Sequence, residues 1–407
     1  LEHIIHSNIM SHLDNHHVLS DAQHGFRKNR SCETQLIVAI NDFAKSLNNG
    51  EQMDSILMDF SKAFDVVCHR KLVLKLWLYG IKGKIIKWVE NFLKDRTQRV
   101  VVEGKSSDIA KVTSGVPQGT VLGPLLFLVY INDLSLTVSS DIGLLADDTY
   151  IYRTIRDKND CIYLQNDLNS LVDWESKWSM KFHPDKCKLL RITNKRNIID
   201  FQYNIHNYPL KIADHSKYLG VEIDKKLKWK HHVSIITAKA NQCRQMLQRN
   251  LVSVDSTVKL NCYKSLIRPI VEFASPVWDP VGNKDLQQKL ELVQKKAARW
   301  VFNNWSYRQS ASAMVRKLSL PTLAERREIA RLKFLHNIYY GKKFIPHHLI
   351  PVKARSENLR FKQMHGRVQT YCNSFIPFTV KQWNNLPSRI VNIDDVIKFD
   401  NELCKLI

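Results

Sequence analysis

The chain has 407 residues, of which 44% are hydrophobic and 25% charged, and this is the balance of a folded protein rather than of a disordered one. Its 61 Lys and Arg residues against 39 Asp and Glu residues give a formal net charge of +22, which favours a partner rich in phosphate. The longest apolar run, residues 121–131, is shorter than the roughly 18 residues that span a bilayer. We therefore expect a nucleic-acid partner and no membrane partner.

The eight cysteines are scattered, and the chain contains no Cys-x-x-Cys pair of the kind that binds zinc or cycles between thiol and disulfide. We interpret them as reduced thiols of an intracellular, non-secreted protein. The chain begins with Leu1 rather than Met, which we interpret as a fragment that lacks its natural start.

Hydrophobic periodicity predicts an alternation of helices and short strands in the first half of the chain. A helix is predicted over residues 33–49, ended by Gly50, and a buried strand over residues 55–60 carries Asp59 near its end. Two further strands would meet at Asp147 and Asp148, which places this acidic pair at a hairpin turn. The other predicted helices are 70–78, 84–93, 120–134 and 160–180, and the other strands are 97–102, 142–146, 149–152, 188–193, 201–205 and 218–223.

The composition changes after about Lys225, where strand patterns stop and the sequence becomes helical and basic. Residues 225–268 contain ten Lys or Arg residues and a single acid, Asp255. This is the densest positive segment of the chain, and it predicts a nucleic-acid contact surface.

Three carboxylates at the ends of adjacent buried strands repel one another unless cations lie between them. Carboxylate and carbonyl oxygens suit octahedral Mg²⁺, and a pair of such ions supports in-line displacement at phosphorus. Each acidic motif alone is ambiguous, because an Asp-Asp pair in a hairpin is usually a solvated turn and a lone Asp after an apolar run is often a cap. The order of the motifs, with a Pro-Gln-Gly loop between them, favours the metal site.

Several ordered motifs resemble the reverse transcriptases of non-LTR retrotransposons, the LINE-type elements. The resemblance is strong from about Ser20 to Val233 and weaker through Arg268 and Trp278. The motifs that carry it are QHGFR at 23–27 with RSC at 30–32, SKAFD at 61–65, RTQRV at 96–100, SGVPQGTVLGP at 114–124, ADDT at 146–149 and YLGV at 218–221.

The resemblance implies a two-metal catalytic site. Asp59 and Asp147 would bind two Mg²⁺ ions, for which Mn²⁺ is a substitute, together with the carbonyl of Phe60. Asp148 would be the second acid of the pair, as a catalytic residue and a metal ligand. Lys186 lies where the family has a lysine that protonates the departing pyrophosphate, although an exposed loop lysine is an equal alternative.

The same resemblance implies a site for a deoxynucleoside triphosphate. The ring of Phe64 would lie under the sugar and exclude a 2′-hydroxyl, while Gln118 and Gly119 would contact the nucleotide. Arg27 and Arg30 would hold the triphosphate. The alternatives are a core aromatic at Phe64, a simple Gly/Pro turn at 117–119 and two solvated arginines.

Two positions depart from the family pattern. Leu145 stands where the family usually has Phe before the acidic pair, and an apolar exchange there is tolerable. His183 stands where the family usually has Asn, which puts the hydrogen bonding around Lys186 in doubt.

The resemblance implies an α+β right-hand polymerase fold with an antiparallel palm sheet followed by an all-α basic thumb. The predicted domains are partial fingers at 1–52, a palm at 53–224, a helical thumb at 225–345 and a C-terminal extension of unknown role at 346–407. Implied partners are an RNA template, a DNA primer and deoxynucleoside triphosphates, in the nucleus or the cytoplasm. From the resemblance we expect this fragment to lack the endonuclease of full-length elements.

Two rival functions remain open. One is a catalytically inactive or domesticated remnant that binds nucleic acid without copying it, which intact acids disfavour and truncation favours. The other is an RNA-templated RNA polymerase of the same fold, which Phe64 disfavours.

Overall fold

The computed structural model describes residues 1–306, 308–354 and 360–407. The chain forms two compact units. The first, here called the sheet unit, consists of Leu1–Gln35, Gln52–Arg191 and Lys195–Ala213, and the second, the helical unit, of Leu36–Glu51, Ile192–Asn194 and Asp214–Ile407. The predicted division into four domains stays a prediction, and its C-terminal extension includes residues 355–359, which lie outside the described residues.

Helices form most of the regular structure. They are α1 (Glu2–Asn15), α2 (Cys32–Asn48), α3 (His69–Leu78), α4 (Lys84–Leu93), α5 (Leu122–Ile131), α6 (Lys158–Trp178), α7 (Lys230–Asn250), α8 (Ser256–Cys262), α9 (Arg268–Glu272), α10 (Ser275–Trp278), α11 (Lys284–Val301), α12 (Ala311–Lys317), α13 (Leu323–Tyr339), α14 (Gln369–Cys372), α15 (Phe375–Asn384), α16 (Ser388–Val391) and α17 (Val396–Leu406). A π-helical turn, Tyr263–Ile267, joins α8 to α9, and 3-10 turns cover Asn132–Thr137, Pro184–Lys186 and His347–Leu349.

Within the described residues, the strands form one five-stranded sheet and four small two-stranded ladders. They are β1 (Gln52–Met58), β2 (Thr97–Gln98), β3 (Val101–Val102), β4 (Lys105–Ser106), β5 (Ala110–Lys111), β6 (Asp141–Leu145), β7 (Asp148–Ile155), β8 (Lys188–Thr193), β9 (Asn204–Ile205), β10 (Tyr208–Pro209), β11 (Lys211–Ala213), β12 (His215–Tyr218) and β13 (Val221–Asp224). The order in the large sheet is β11-β8-β1-β7-β6.

The central strand β1 pairs antiparallel with β7, from Gln52 opposite Ile155 to Met58 opposite Thr149. Strand β7 also pairs antiparallel with β6. At the other edge, however, β11 runs parallel to β8, with Lys211 opposite Lys188. The predicted α+β class is confirmed, and the predicted antiparallel pairing holds for β1, β7 and β6. The parallel pair of β11 and β8 departs from this pattern, because the chain returns from β8 through the β9–β10 ladder before it adds β11.

Most predicted elements are confirmed, with shifted ends. The predicted strand 218–223 is wrong as a single strand, because the chain reverses at Leu219 and Gly220, whose φ angles are +45° and +85°. It forms instead the hairpin β12–β13. The predicted strand 201–205 pairs only over Asn204–Ile205, and the stretch 97–102 divides into β2 and β3 because each pairs with a different partner.

The core of the sheet unit is continuous from the sheet to the helix that follows the Pro-Gln-Gly loop. Strand β1 is buried on both faces as predicted, and almost all of α5 is buried with it. Helix α6 begins with a side-chain cap, because the Asp157 carboxylate accepts hydrogen bonds from the N–H groups of Asn159 and Asp160. It ends at Ser179, whose φ is +56°.

The helical unit agrees with the composition change after Lys225. Within the described part of the chain beyond β13, regular structure is helical, apart from an isolated bridge between Lys353 and Phe361. Among the described residues, no helix combines the length and the apolarity needed to cross a bilayer.

Candidate active site

Three acids meet at one end of the central strands of the sheet unit. Asp59 follows the last residue of β1, Asp147 lies in the β6–β7 turn, and Asp148 is the first residue of β7. Because Met58 lies opposite Thr149 in an antiparallel pair, the next position on each strand leads to Asp59 and to Asp148. The register of two strands thus brings together carboxylates that are about ninety positions apart in the sequence, an approximate spacing read from their numbers.

Both acidic segments contain a non-glycine residue with left-handed backbone geometry. Ala146, directly before Asp147, has a φ of +53°, and Lys62, three residues after Asp59, has a φ of +51°. Such conformations cost free energy and persist where neighbouring contacts enforce them, often at functional sites. Ala146 and Lys62 therefore adopt backbone conformations that non-glycine residues usually avoid.

The electrostatics of the acids show that they are close enough to repel one another. Burial, followed by the charges of Asp147 and Asp59, raises the pKa of Asp148 to about 6. Burial, and also the charge of Asp59, raises the pKa of Asp147. A cation beside these carboxylates would relieve this repulsion.

A lysine ammonium group supplies one such cation. Lys186 Nζ lies 2.6 Å from Oδ2 of Asp59, and this hydrogen bond, together with the charge of Asp59, raises the pKa of Lys186. In the part of the chain that the structure describes, no three His, Cys, Asp or Glu side chains form a ready-made metal cage. The donors are nevertheless the hard carboxylate oxygens that Mg²⁺ prefers, so the residue types fit this ion, with Lys186 standing where it competes for Asp59.

The strand end that carries Asp59 is held by the segment that leads to Lys186. The Ser61 N–H donates to the Lys181 carbonyl, and the His183 N–H donates to the Asp59 carbonyl, both at 2.8 Å. Between them, the rings of Phe60 and Phe182 stack at 4.1 Å between centroids. Because His183 uses its backbone here, this contact does not depend on the family's asparagine, although Nδ1 of the His183 ring is buried without a hydrogen-bond partner among the described residues.

The Pro-Gln-Gly loop is tied to the segment after Asp59. Gln118 Nε2 donates to Oδ1 of Asp65 at 2.9 Å, Ser114 Oγ donates to the Asp65 carbonyl at 2.8 Å, and Val116 N–H donates to the Phe64 carbonyl at 2.8 Å. These bonds place the predicted nucleotide residues Phe64 and Gln118 next to each other. Gly119 follows with a φ of +77°, which favours glycine.

Phe64 is only partly buried, and its ring stacks on that of Phe127 at 4.2 Å between centroids. Phe127 belongs to α5 and is fully buried. Phe64 is thus neither a free surface ring nor a fully buried core residue, because its ring packs on Phe127 while part of the side chain remains accessible. Its predicted contact with a sugar stays a prediction.

Arg27 and Arg30 are engaged within their own segment. Arg27 donates to the Ser20 carbonyl at 2.8 Å, and Arg30 forms an ion pair of 2.5 Å with Asp21. Burial lowers the pKa of both guanidinium groups, and the charges of Asp14 and Asp21 act in the opposite direction. The structure therefore ties these arginines to local partners, and their role with a triphosphate stays a prediction.

The sequence interpretation assigned no role to three residues that shape this site. Asp65 holds Gln118, Phe127 supports Phe64, and the side chain of Gln23 contacts the backbone of Ala146. Gln23 and Asp65 belong to motifs that were recognised, so the sequence did mark both positions. Their partners could not be read from the sequence, because none lies within one element.

A cavity of about 790 Å³ opens beside Lys186. At its wall, the buried carboxyl of Glu175 lies 2.8 Å from Nε2 of His206 and accepts a hydrogen bond from the Phe182 N–H. Burial raises the pKa of Glu175 to about 7. Burial therefore favours the protonated, neutral form of this acid.

The comparison with protein families agrees with the geometry of the acids. A family model described as reverse transcriptase (RNA-dependent DNA polymerase) matches residues 1–223. The chain belongs to the reverse transcriptase family. The resemblance noted from the sequence motifs is confirmed by this match and by the mobile-element relatives described next.

Relatives of this chain come from mobile elements. It is 25% identical to the RNA-directed DNA polymerase from mobile element jockey of Drosophila melanogaster, over 83% of this chain and 38% of that protein. It is 26% identical to the probable RNA-directed DNA polymerase from transposon BS of the same species, over 82% of this chain and 37% of that protein. The chain thus spans less than two fifths of the length of these relatives.

Among solved structures, this chain is similar to telomerases from two Candida species. The telomerase from Candida albicans in complex with a fragment of telomeric RNA aligns with a TM-score of 0.42 and 13% identity, over 79% of this chain and 58% of that one. The corresponding complex from Candida tropicalis aligns with a TM-score of 0.42 and 10% identity, over 99% and 56% of the two chains.

Proposed function

We propose that this chain is the polymerase core of a reverse transcriptase from a non-LTR, LINE-type retrotransposon. It would transfer a deoxynucleotide from its triphosphate to the 3′-hydroxyl of a DNA primer, directed by an RNA template. The observation that carries the proposal is the convergence of Asp59, Asp147 and Asp148 at one end of β1 and β7. Membership of the reverse transcriptase family supports it.

Two Mg²⁺ ions, or Mn²⁺ in their place, would be held by Asp59, Asp147, Asp148 and the carbonyl of Phe60. When bound, such ions activate the attacking hydroxyl and stabilise the charge on the leaving phosphates. The chain itself contributes by bringing the carboxylates together in a partly buried environment of low dielectric constant. The raised pKa values of Asp147 and Asp148 support this, because they report a free-energy cost that a divalent ion would offset.

Lys186 would act on the leaving group of the reaction, the pyrophosphate. Its ammonium group contacts Asp59 at 2.6 Å, and it would leave this carboxylate when a metal ion takes its place. It would then be free to donate a proton to the departing pyrophosphate, a role suited to a cationic acid beside a developing anion.

Nucleotide selection would rest on Phe64, Gln118 and Gly119. The partly exposed ring of Phe64, fixed from behind by Phe127, would exclude a 2′-hydroxyl by steric contact. Gln118, oriented by Asp65, would contact the base pair or the nucleotide. Arg27 and Arg30 would reach the triphosphate only after exchanging Asp21 for phosphate.

Template and primer would bind through their phosphates to basic helices such as α7, which supplies affinity without sequence specificity. In this assignment the fingers, palm, thumb and C-terminal extension are 1–52, 53–224, 225–345 and 346–407. The protein would act inside the cell, in the nucleus or the cytoplasm.

A second candidate is a catalytically inactive remnant that binds nucleic acid. The ion pair between Lys186 and Asp59 favours it, together with the finding that no ready-made metal cage exists among the described side chains. Such a protein would bind a primer–template duplex with a steep dependence on salt and would not extend it.

Primer extension distinguishes these candidates. We would measure dTTP incorporation on poly(rA)/oligo(dT) with Mg²⁺ for the wild type, for Asp147→Asn and for Asp173→Asn, a control at an exposed position of α6. The proposal expects extension by the wild type and the control and none by Asp147→Asn. Duplex binding without extension by any of the three would support the inactive remnant. Preference for UTP over dTTP would support an RNA polymerase instead.

A further inference from the structure

The side chain of Gln23 is bound to the backbone of the acidic turn. Its Oε1 accepts hydrogen bonds from the Gly25 N–H at 2.7 Å and from the Ala146 N–H at 2.9 Å. Its Nε2 lies 3.4 Å from the Ala146 carbonyl. Gln23 is 2% exposed, so these amide contacts are shielded from water.

The backbone around Gln23 continues this contact along strand β6. The His24 N–H donates to the Leu144 carbonyl at 2.8 Å, and the Leu144 N–H donates to the Ala22 carbonyl at 2.9 Å. Gly25 allows the close approach, because a Cβ atom at this position would overlap the backbone nitrogen of Ala146. The Gln-His-Gly segment thus extends the sheet at the point where β6 enters the turn.

The segment is itself anchored by a buried hydrogen bond. His24 Nδ1 lies 2.6 Å from Oγ1 of Thr34, at the start of α2. His24 is 2% exposed, and its contact to Thr34 restricts the backbone on which Gln23 stands. The backbone of Gln23 is therefore held in the position from which its side chain contacts Ala146.

Ala146 is the residue that needs this support. Its left-handed φ of +53° removes it from the regular strand, and it directly precedes Asp147 and Asp148. Its N–H and C=O both face the amide of Gln23, and loss of that amide would leave a shielded backbone donor without its partner. The turn would then relax, and the direction of both carboxylates would change with it.

We propose that Gln23 is a positioning residue that holds the Asp147–Asp148 turn in the geometry that binds a divalent cation. This rests on the proposed function, because the cation is the one that the polymerase would use. Gln23 contacts neither substrate nor metal in this role. It acts on the carboxylates through the backbone of Ala146.

A matched control exists in the same unit. Gln52, at the far end of β1, is fully buried and forms the same two-sided contact with another backbone residue. Its Oε1 accepts from the Ile199 N–H at 2.8 Å, and its Nε2 donates to the Ile199 carbonyl at 2.9 Å. Gln52 is seven residues before Asp59 along an extended strand, roughly 20 Å away. Its Nε2 also donates to Oδ1 of Asp54 at 3.0 Å. Loss of its amide should affect stability without affecting Asp59, Asp147 or Asp148.

The test replaces each glutamine by methionine, which keeps the volume and removes the hydrogen bonds. Mn²⁺ binding to the whole chain without nucleic acid is measured by electron paramagnetic resonance for the wild type, Gln23→Met, Gln52→Met and Asp147→Asn. Thermal unfolding of each variant is recorded in parallel. We expect Gln23→Met to raise the dissociation constant for Mn²⁺ by about 10-fold to 100-fold. Mutation of residues that orient metal ligands through hydrogen bonds has effects of this size.

Gln52→Met is expected to bind Mn²⁺ as the wild type does, even if it unfolds at a lower temperature. Unchanged Mn²⁺ affinity in Gln23→Met, or an equal loss in Gln52→Met, would overturn the proposal. If Gln23→Met does not fold, Gly25→Ala provides the second variant. It retains Gln23 but pushes its segment away from Ala146, and it should weaken Mn²⁺ binding too, whereas unchanged binding would contradict the role.

The two proposals can fail separately. Suppose that Mn²⁺ binding depends on Asp147 and is weakened in Gln23→Met, but the wild type does not extend a primer. This result would disprove the polymerase function and leave the positioning role intact. Primer extension by a Gln23→Met variant with normal Mn²⁺ affinity would disprove the positioning role alone.

Discussion

The ammonium nitrogen of Lys186 lies 2.6 Å from Oδ2 of Asp59, so a side chain of the protein occupies the position of a cation beside a proposed metal ligand. Both residues are partly exposed, which allows the pair to open at little cost in free energy. Lys186 and a divalent ion therefore compete for the same carboxylate. Release of the lysine would couple the arrival of metal to the availability of a proton donor.

Lys186→Gln tests this competition. The neutral amide should lower the Mg²⁺ concentration needed for half-maximal primer extension, because Asp59 is no longer paired. The maximal rate should fall by about 100-fold if Lys186 is the general acid. A Mg²⁺ titration of extension rates measures both effects, with Lys181→Gln, an exposed lysine on the same segment, as the control. Equal Mg²⁺ requirements in variant and wild type would contradict the competition.

Phe64→Val tests the exclusion of ribonucleotides. Removing the ring should raise the use of UTP relative to dTTP by about 10-fold to 100-fold, the range in which a shape-selective contact discriminates. Phe127→Leu should produce a smaller change in the same direction, because Phe64 loses the ring on which it stacks. Single-nucleotide incorporation on poly(rA)/oligo(dT) gives both ratios. If Phe64→Val keeps the wild-type ratio, Phe64 is only a packing residue.

Asp65→Ala tests whether Gln118 needs its partner. The variant removes the 2.9 Å bond to Gln118, and a lost hydrogen bond of about 1 kcal/mol corresponds to a KM for dTTP about fivefold higher. The maximal rate should change less, since the metal ligands are untouched. Steady-state kinetics would measure the KM for dTTP and the maximal rate, with Asp108→Ala, a change at an exposed acid, as the control. A KM that does not change would place Gln118 outside the nucleotide site.

Glu175→Gln tests the buried acid beside Lys186. Burial raises the pKa of Glu175 from 4.5 to about 7 in the folded protein, so the folded state holds its proton more tightly than the unfolded chain does. The free energy of unfolding should therefore fall as the pH rises from about 4.5 through about 7, by an amount on the order of 3 kcal/mol. Glutamine removes this dependence and should stabilise the protein at pH 8 but not at pH 4.5.

Chemical denaturation at pH 4.5, 6 and 8 would measure this effect for the wild type, for Glu175→Gln and for Asp173→Asn, which lies two residues earlier on α6 and is exposed. The control should keep the pH dependence of the wild type. A Glu175→Gln variant that is less stable than the wild type at pH 8 would show that the ionised carboxylate, paired with His206, stabilises the fold.

Local sequence patterns were sufficient for the elements that hold the acids. Apolar periodicity predicted the positions of α2, α4 and α5 because each helix buries an apolar face, α4 and α5 in the core of the sheet unit. The order of Asp59, the Pro-Gln-Gly loop and the acidic pair predicted the site, since motifs at strand ends and turns are local features. The hairpin at Leu219 and Gly220 was missed although Gly220 was a signal for it.

The sequence by itself determined the residue types of the site, the positive charge of the segment after Lys225 and the family of the chain. Tertiary structure alone decided which distant residue each side chain contacts. Gln23 and Ala146 are 123 positions apart, and Asp65 and Gln118 are 53 apart. Contacts of this kind leave no period in the sequence, because they depend on strand register and on burial, and these are properties of the whole folded unit.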